Sequence, residues 1–171
     1  PRMRRWNLKA APRVMLRHPS LRPLSRQHHH ALALCVLISR ELDGAAPDVE
    51  ALASRAVQEF EREIRAHFAL EEQILFPTIT AELGPMPLID DLLGEHRRLE
   101  QLAAELAASP GPAALAAFAA LLRSHVRVEE NELFEQIQDR LRPETLARLG
   151  GELGGGSAPA CGMTGNPQCQ L

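Results

Sequence analysis

The chain has 171 residues, a formal charge of −3 and a pI near 6.2: enough length for one domain with a real core, and no global basic surface for nucleic acid. It is rich in Ala, Leu, Arg and Glu, with no Tyr, one Trp and five Phe, a composition that forms helices and leaves little material for strands. No apolar run is long enough to span a bilayer, and the basic start RMRRWNLKAAPR is not followed by the apolar stretch of a signal peptide.

Residues 1–22 read as a peripheral extension. The first amphipathic segment runs from about Leu24 to Leu42 and stops at Asp43-Gly44, a helix C-terminal signal. The second begins after Pro47 with Asp48 as N-cap and ends near Leu83, before Gly84-Pro85. Its apolar stripe includes Leu52, Ala56, Phe60, Ile64 and Leu75, and Pro77 is expected to kink it or end its regular part. The third runs from about Pro87 to Ala108, where SPGP breaks it, and the fourth from about Ala113 to Leu141, closed by Pro143. A last short helix is expected around Glu144–Leu149, and the Gly- and Pro-rich stretch from Gly150 to Leu171 reads as disordered. Helix and short break, four times over, predict an all-α fold: an up-down-up-down four-helix bundle over residues 23–142, with residues 143–171 as short helix and tail.

Two strings stand out. Residues 67–76 read HFALEEQILF and residues 125–134 read HVRVEENELF. In each, a His and a Glu at i and i+4 share one helix face, ~40° apart around the axis and ~6 Å along it. Both pairs, His67/Glu71 and His125/Glu129, fall on the apolar stripe, where an uncompensated polar group is expensive. Helix 3 adds His96 to its stripe, and helix 1 offers the run His28-His29-His30. Four His and two Glu from four helices converge on one core, and imidazole with carboxylate suits Fe, Mn or Zn. A solvated helical salt bridge is the competing reading for the two pairs, and a hydrogen-bonded core imidazole for His96. The repetition of the strings on apolar stripes favours a metal site. The spacing also suggests an internal duplication of a helix pair.

In order and spacing, LSRQHHHALAL, HFALEEQILFP, GEHRRLEQL and HVRVEENELF resemble the four motif strings of the hemerythrin-like (HHE cation-binding) family, from about Leu24 to Leu141. The resemblance implies a four-helix bundle around a non-haem di-iron centre, that is, two Fe ions with an oxo or hydroxo bridge. It maps His67, Glu71, His96, His125 and Glu129 onto ligand positions, with Glu95 as the family's usual Glu before the helix-3 ligand. The helix-1 ligand lies within the triple His. The apolar phase of Leu24, Leu32, Cys35 and Leu42 favours His28, with His29 as the alternative. One departure matters: the oxygen carriers of the family have HxxxH on helix 3, and here the neighbours at that spacing from His96 are Leu92 and Glu100. That opens a coordination position, or assigns it to Glu100 or water.

Glu72 and Glu130 sit ~100° from Glu71 and Glu129, so they are expected in solvent or in an outer layer rather than as ligands. Glu63 and Glu100 read as surface charge, and Cys35 as a small core residue. Three scattered cysteines make no disulfide framework and make a reducing, cytoplasmic setting the default. The expected function is a di-iron protein that binds or senses O2 or a related small ligand such as nitric oxide or peroxide, without membrane or nucleic-acid partners. A signalling or redox protein partner would be needed to read out a sensor. The alternative is an oxidoreductase acting on the same molecules, or an iron-handling protein.

Overall fold

The computed structural model describes residues 16–155. Among them every regular element is helical. A 3-10 turn, Pro19–Leu21, leads into α1, Arg22–Leu42. Then follow α2 over residues 49–83, α3 at Pro87–Ala108, α4 over residues 112–140, and α5 at Pro143–Gly155. These five helices exceed the four-helix expectation by one packed element rather than a short appendage.

The boundaries follow from local chemistry. Asp48 caps α2, its side chain accepting the Ala51 amide at 3.0 Å. Gly84 ends α2 at φ 82°, a left-handed conformation that costs a glycine little. Pro87, Pro112 and Pro143 each sit in a first turn, where the missing N–H has no intrahelical partner to lose. Pro143 therefore closes α4 and opens α5 at once.

Three π-helical turns interrupt the long helices: Phe60–Ile64 and Glu71–Leu75 in α2, and Glu129–Leu133 in α4. Two of them begin at the Glu of an HxxxE pair. In each, an i→i+5 bond closes the turn, from the Phe76 amide to the Glu71 carbonyl and from the Phe134 amide to the Glu129 carbonyl. The extra residue per turn brings two consecutive apolar side chains inward, Leu75 with Phe76 and Leu133 with Phe134. Pro77 follows directly on such a turn, and the helix then continues to Leu83.

The interior is divided in two. One apolar core contains Leu34, Cys35, Ile38, Phe60, Phe68, Leu99, Phe118 and Leu122. The other contains Leu24, Leu75, Phe76, Leu92, Phe134 and Ile137. Each of α1–α4 runs from one core to the other, and α1 packs on α4, α4 on α3, α3 on α2, and α2 on α1. The second core is completed by α5 through buried Leu146, Leu149 and Leu153. A Cβ on Gly150 would stand 2.8 Å from the Ser20 hydroxyl, so only glycine lets α5 lie this close to the 3-10 turn. Ser20 and Leu21 are buried and Arg17 bonds Glu130, so this part of the segment packs on the bundle, against the expectation of a peripheral arm through residue 22. Residues 1–15 and 156–171, which carry Cys161 and Cys169, lie outside the described residues.

Candidate metal centre

Between the two apolar cores lies a layer of six buried polar residues: His28, His67, Glu71, His96, His125 and Glu129. They come one from α1, two from α2, one from α3 and two from α4. Their ligand atoms form two overlapping groups, His28–His67–Glu71–Glu129 and Glu71–His96–His125–Glu129, each within 4.8 Å of one another. The two carboxylates belong to both groups. Each pair of imidazoles comes from one half of the chain.

The Nε2 atoms converge. Those of His28 and His67 are 3.0 Å apart, and those of His96 and His125 are 3.2 Å apart. Glu71 Oε1 lies 3.2 Å from His67 Nε2, and its Oε2 lies 3.4 Å from His96 Nε2. Glu129 Oε2 lies 3.1 Å from His28 Nε2 and 3.4 Å from His125 Nε2. These contacts fall within ion-pair range but not in hydrogen-bonding alignment: all four carboxylate oxygens of Glu71 and Glu129 are buried with no hydrogen-bond partner.

The outward nitrogens are all held. His28 Nδ1 donates to Glu130 Oε1 at 2.7 Å, His67 Nδ1 to Gln27 Oε1 at 2.7 Å, His96 Nδ1 to Glu72 Oε1 at 2.8 Å, and His125 Nδ1 to Glu95 Oε2 at 2.9 Å. An acceptor on Nδ1 fixes the ring's orientation and directs Nε2 to the centre, as around protein-bound metals. Aromatic rings wedge the imidazoles in place, Phe68 stacking on His96 at 3.7 Å and Phe134 on His28 at 5.5 Å between ring centres. Glu130 is itself anchored by Arg17, whose guanidinium bonds its Oε2 at 2.8 and 3.1 Å and also its carbonyl.

Charge is distributed accordingly. Burial works against an ionised Glu71, but the neighbouring charges of His67 and His28 and the approach of His96 outweigh it and hold the carboxyl well below its usual range. Burial also works against a charged His28, yet Glu129, Glu130 and Glu71 raise it to about 10. Without a metal, protons on His28 and His96, both raised against their burial by carboxylate neighbours, offset buried negative charge. A cation at the centre would take over that role and engage the orphaned oxygens, so the donor set fits a metal ion.

The sequence-predicted residues separate cleanly here. His28, His67, Glu71, His96, His125 and Glu129 come together. His29, the alternative on helix 1, is exposed and contributes no atom, because one residue of rotation turns it ~100° from His28. Glu100 is exposed and paired with Arg65 at 3.1 Å and contributes no donor, and Leu92, the other neighbour at that spacing from His96, is fully buried in the second core. Glu72 and Glu130 form part of the outer layer. Glu95 supports His125 across the bundle rather than its neighbour His96. Gln27 was not anticipated; its only sequence signal is its place beside His28.

The sequence profile of the Hemerythrin HHE cation binding domain matches residues 21–137. The chain belongs to that family. No curated protein matches the chain, and no solved structure does. The family's residues span all four helices that supply the centre, and cation binding by an HHE domain agrees with the buried His/Glu layer. No helix among the described residues is long and apolar enough to cross a membrane.

Proposed function

We propose that this HHE domain is a non-haem di-iron protein that reversibly binds or senses O2 or a related small ligand such as nitric oxide or peroxide. The observation that carries the reading is the pair of overlapping donor groups that share two unpartnered carboxylates. His28 and His67 would hold one ion and His96 and His125 the other, with Glu71 and Glu129 common to both. Two His and shared carboxylates leave an iron unsaturated, and iron supplies reversible electron exchange and affinity for diatomic ligands when bound. The residues of the chain do the rest. Glu130, Gln27, Glu72 and Glu95 fix the imidazoles, and Phe68 and Phe76 pack on His96 and Phe134 on His28. We read α1–α4, residues 23–142, as an up-down-up-down bundle whose second core α5 covers. The setting is cytoplasmic, with a signalling or redox protein as the partner that reads the bound state.

A second reading, an oxidoreductase acting on peroxide, nitric oxide or O2, is favoured by one feature. Neither neighbour at HxxxH spacing from His96, Leu92 or Glu100, supplies the further imidazole of the oxygen carriers, and the centre is left more open. Metal analysis with visible spectroscopy tests both. About two irons per chain, with near-ultraviolet bands that bleach on anaerobic reduction and return in air, support the di-iron reading. Turnover of peroxide or nitric oxide above the rate of free iron favours the enzyme. A single colourless ion, or none after anaerobic Fe(II) loading, overturns both.

A further inference from the structure

A cavity of about 470 Å³ opens between α1 and α2 and reaches from solvent to the inner imidazoles. Its volume is far beyond what a diatomic ligand needs and falls in the range of pockets for small organic molecules. It is elongated. Its lining extends along α2 from Arg55 to His67, twelve residues or ~18 Å of helix, and along α1 from Gln27 to Leu37. The middle is apolar, with Leu34, Ile64, Phe68 and Val126 on the walls. The inner end is formed by His28, His67 and His125.

The rim of the cleft is charged along its length, and its charges are not all satisfied. Arg62 is paired with Glu59 at 2.7 Å and with Glu63 at 3.2 Å, and His30 sits 3.3 Å from Glu63. Both rim carboxylates, Glu59 and Glu63, are thus engaged. Arg55 lines the rim at the end away from His67, is exposed, and has no ion-pair partner within 4.0 Å among the described residues.

We propose that this cleft binds an elongated amphipathic monocarboxylate, its carboxylate on Arg55 and its hydrocarbon body between α1 and α2, its far end facing His28 and His67. A free guanidinium at one end, apolar walls and a length of three helical turns match a medium-length chain of roughly ten carbons better than a compact or polyanionic molecule. The cleft is built of residues outside the centre except at its inner end. Only the placement of the chain's far end beside a metal rests on the di-iron reading.

Titration calorimetry on the isolated protein, with decanoate as probe and decanol and butyrate as comparisons, tests the proposal. Metal content is measured on the same sample. Decanoate is expected to bind with one site per chain, at least about tenfold more tightly than either comparison compound. R55A should weaken decanoate about tenfold and leave decanol unchanged. L37W, at the half-buried rim, should block decanoate while metal content and thermal midpoint stay at the parental values. Absence of decanoate binding at millimolar concentration, equal affinity for decanol, or an unaffected R55A would each overturn the assignment. Loss of metal from the parental protein with decanoate binding retained would overturn the di-iron reading and leave the cleft standing.

Discussion

Replacing Glu130 with Ala removes the group that connects the first helix, the centre and the segment before α1. Its carboxylate accepts from His28 Nδ1 at 2.7 Å and from Arg17 at 2.8 Å. Burial raises the Glu130 carboxyl, but the bond from His28 and the charges of His28 and Arg17 outweigh it and lower the pKa from 4.5 to about 2. The carboxylate is 24% exposed, so screening takes little from the conversion. A depression of roughly 2.5 units corresponds to about 3 kcal/mol of native-state stability at neutral pH. Because the folded pKa is the lower one, this contribution is complete above about pH 4.5 and is lost as pH falls toward 2. Metal-free E130A should therefore unfold in urea with about 3 kcal/mol less stability at pH 7, and the deficit should shrink between pH 4.5 and 2. Loss of the acceptor on His28 should also weaken metal binding by about 10–100-fold in chelator competition. E132A, which removes an exposed Glu two residues on, serves as the charge-matched control. A stability change under about 0.5 kcal/mol together with unchanged metal affinity would refute the reasoning, since surface carboxylates behave in that way.

Three further outcomes follow from the same geometry. H67A removes a donor from one group only, whereas E71A removes one from both; plasma mass spectrometry should find about one metal per chain lost in H67A and a larger loss in E71A, and equal losses would contradict a shared Glu71. Burial works against a protonated His28, but its carboxylate neighbours raise it to about 10, so a metal must displace that proton at neutral pH; apparent metal affinity should rise with pH by about tenfold per unit for each proton displaced, read as acid release in unbuffered titration, and a pH-independent affinity would exclude the exchange. Phe118 is fully buried in the first core, away from the layer, so F118A should cost about 3–5 kcal/mol in urea unfolding while metal stoichiometry in the folded protein stays fixed.

Helical period alone places His67, Glu71, His96, His125 and Glu129 inward, because each continues an apolar stripe whose neighbours are buried. The same phase distinguishes His28 from His29. Three features lay beyond it. The π turns at Glu71 and Glu129 carry no residue signature; the consecutive Leu-Phe that ends each string is a consequence of the added residue, and a strict 3.6 period predicts only one of the two inward. Gln27, Glu72, Glu95 and Glu130 are polar residues that look solvated in sequence, and their partners lie 24 to 102 residues away. The extent of α5 was obscured by Gly150, Gly151 and Gly154, poor helix formers taken together as tail composition. What overrides propensity there is burial of Leu146, Leu149 and Leu153 at helical spacing, on a face that Gly150 allows to meet Ser20.

Leu92, one of the two neighbours at HxxxH spacing from His96, bears on the balance of the centre. An imidazole at that position would give the α3–α4 half more donors than the α1–α2 half. With a leucine committed to the second core, each half contributes two imidazoles and one carboxylate, and the carboxylates reach across to both groups. The inner donors are thus balanced, and the asymmetry lies in what surrounds them. The cleft touches His28, His67 and His125 but not His96, which is enclosed between Phe68 and Phe76. Glu130, which supports His28, is fixed by Arg17, whereas Glu72, which supports His96, is more exposed, at 44% against 24%. A difference in reactivity between the two halves of the centre would therefore come from access and from the stiffness of the outer acceptors, since the donor types are the same on both sides.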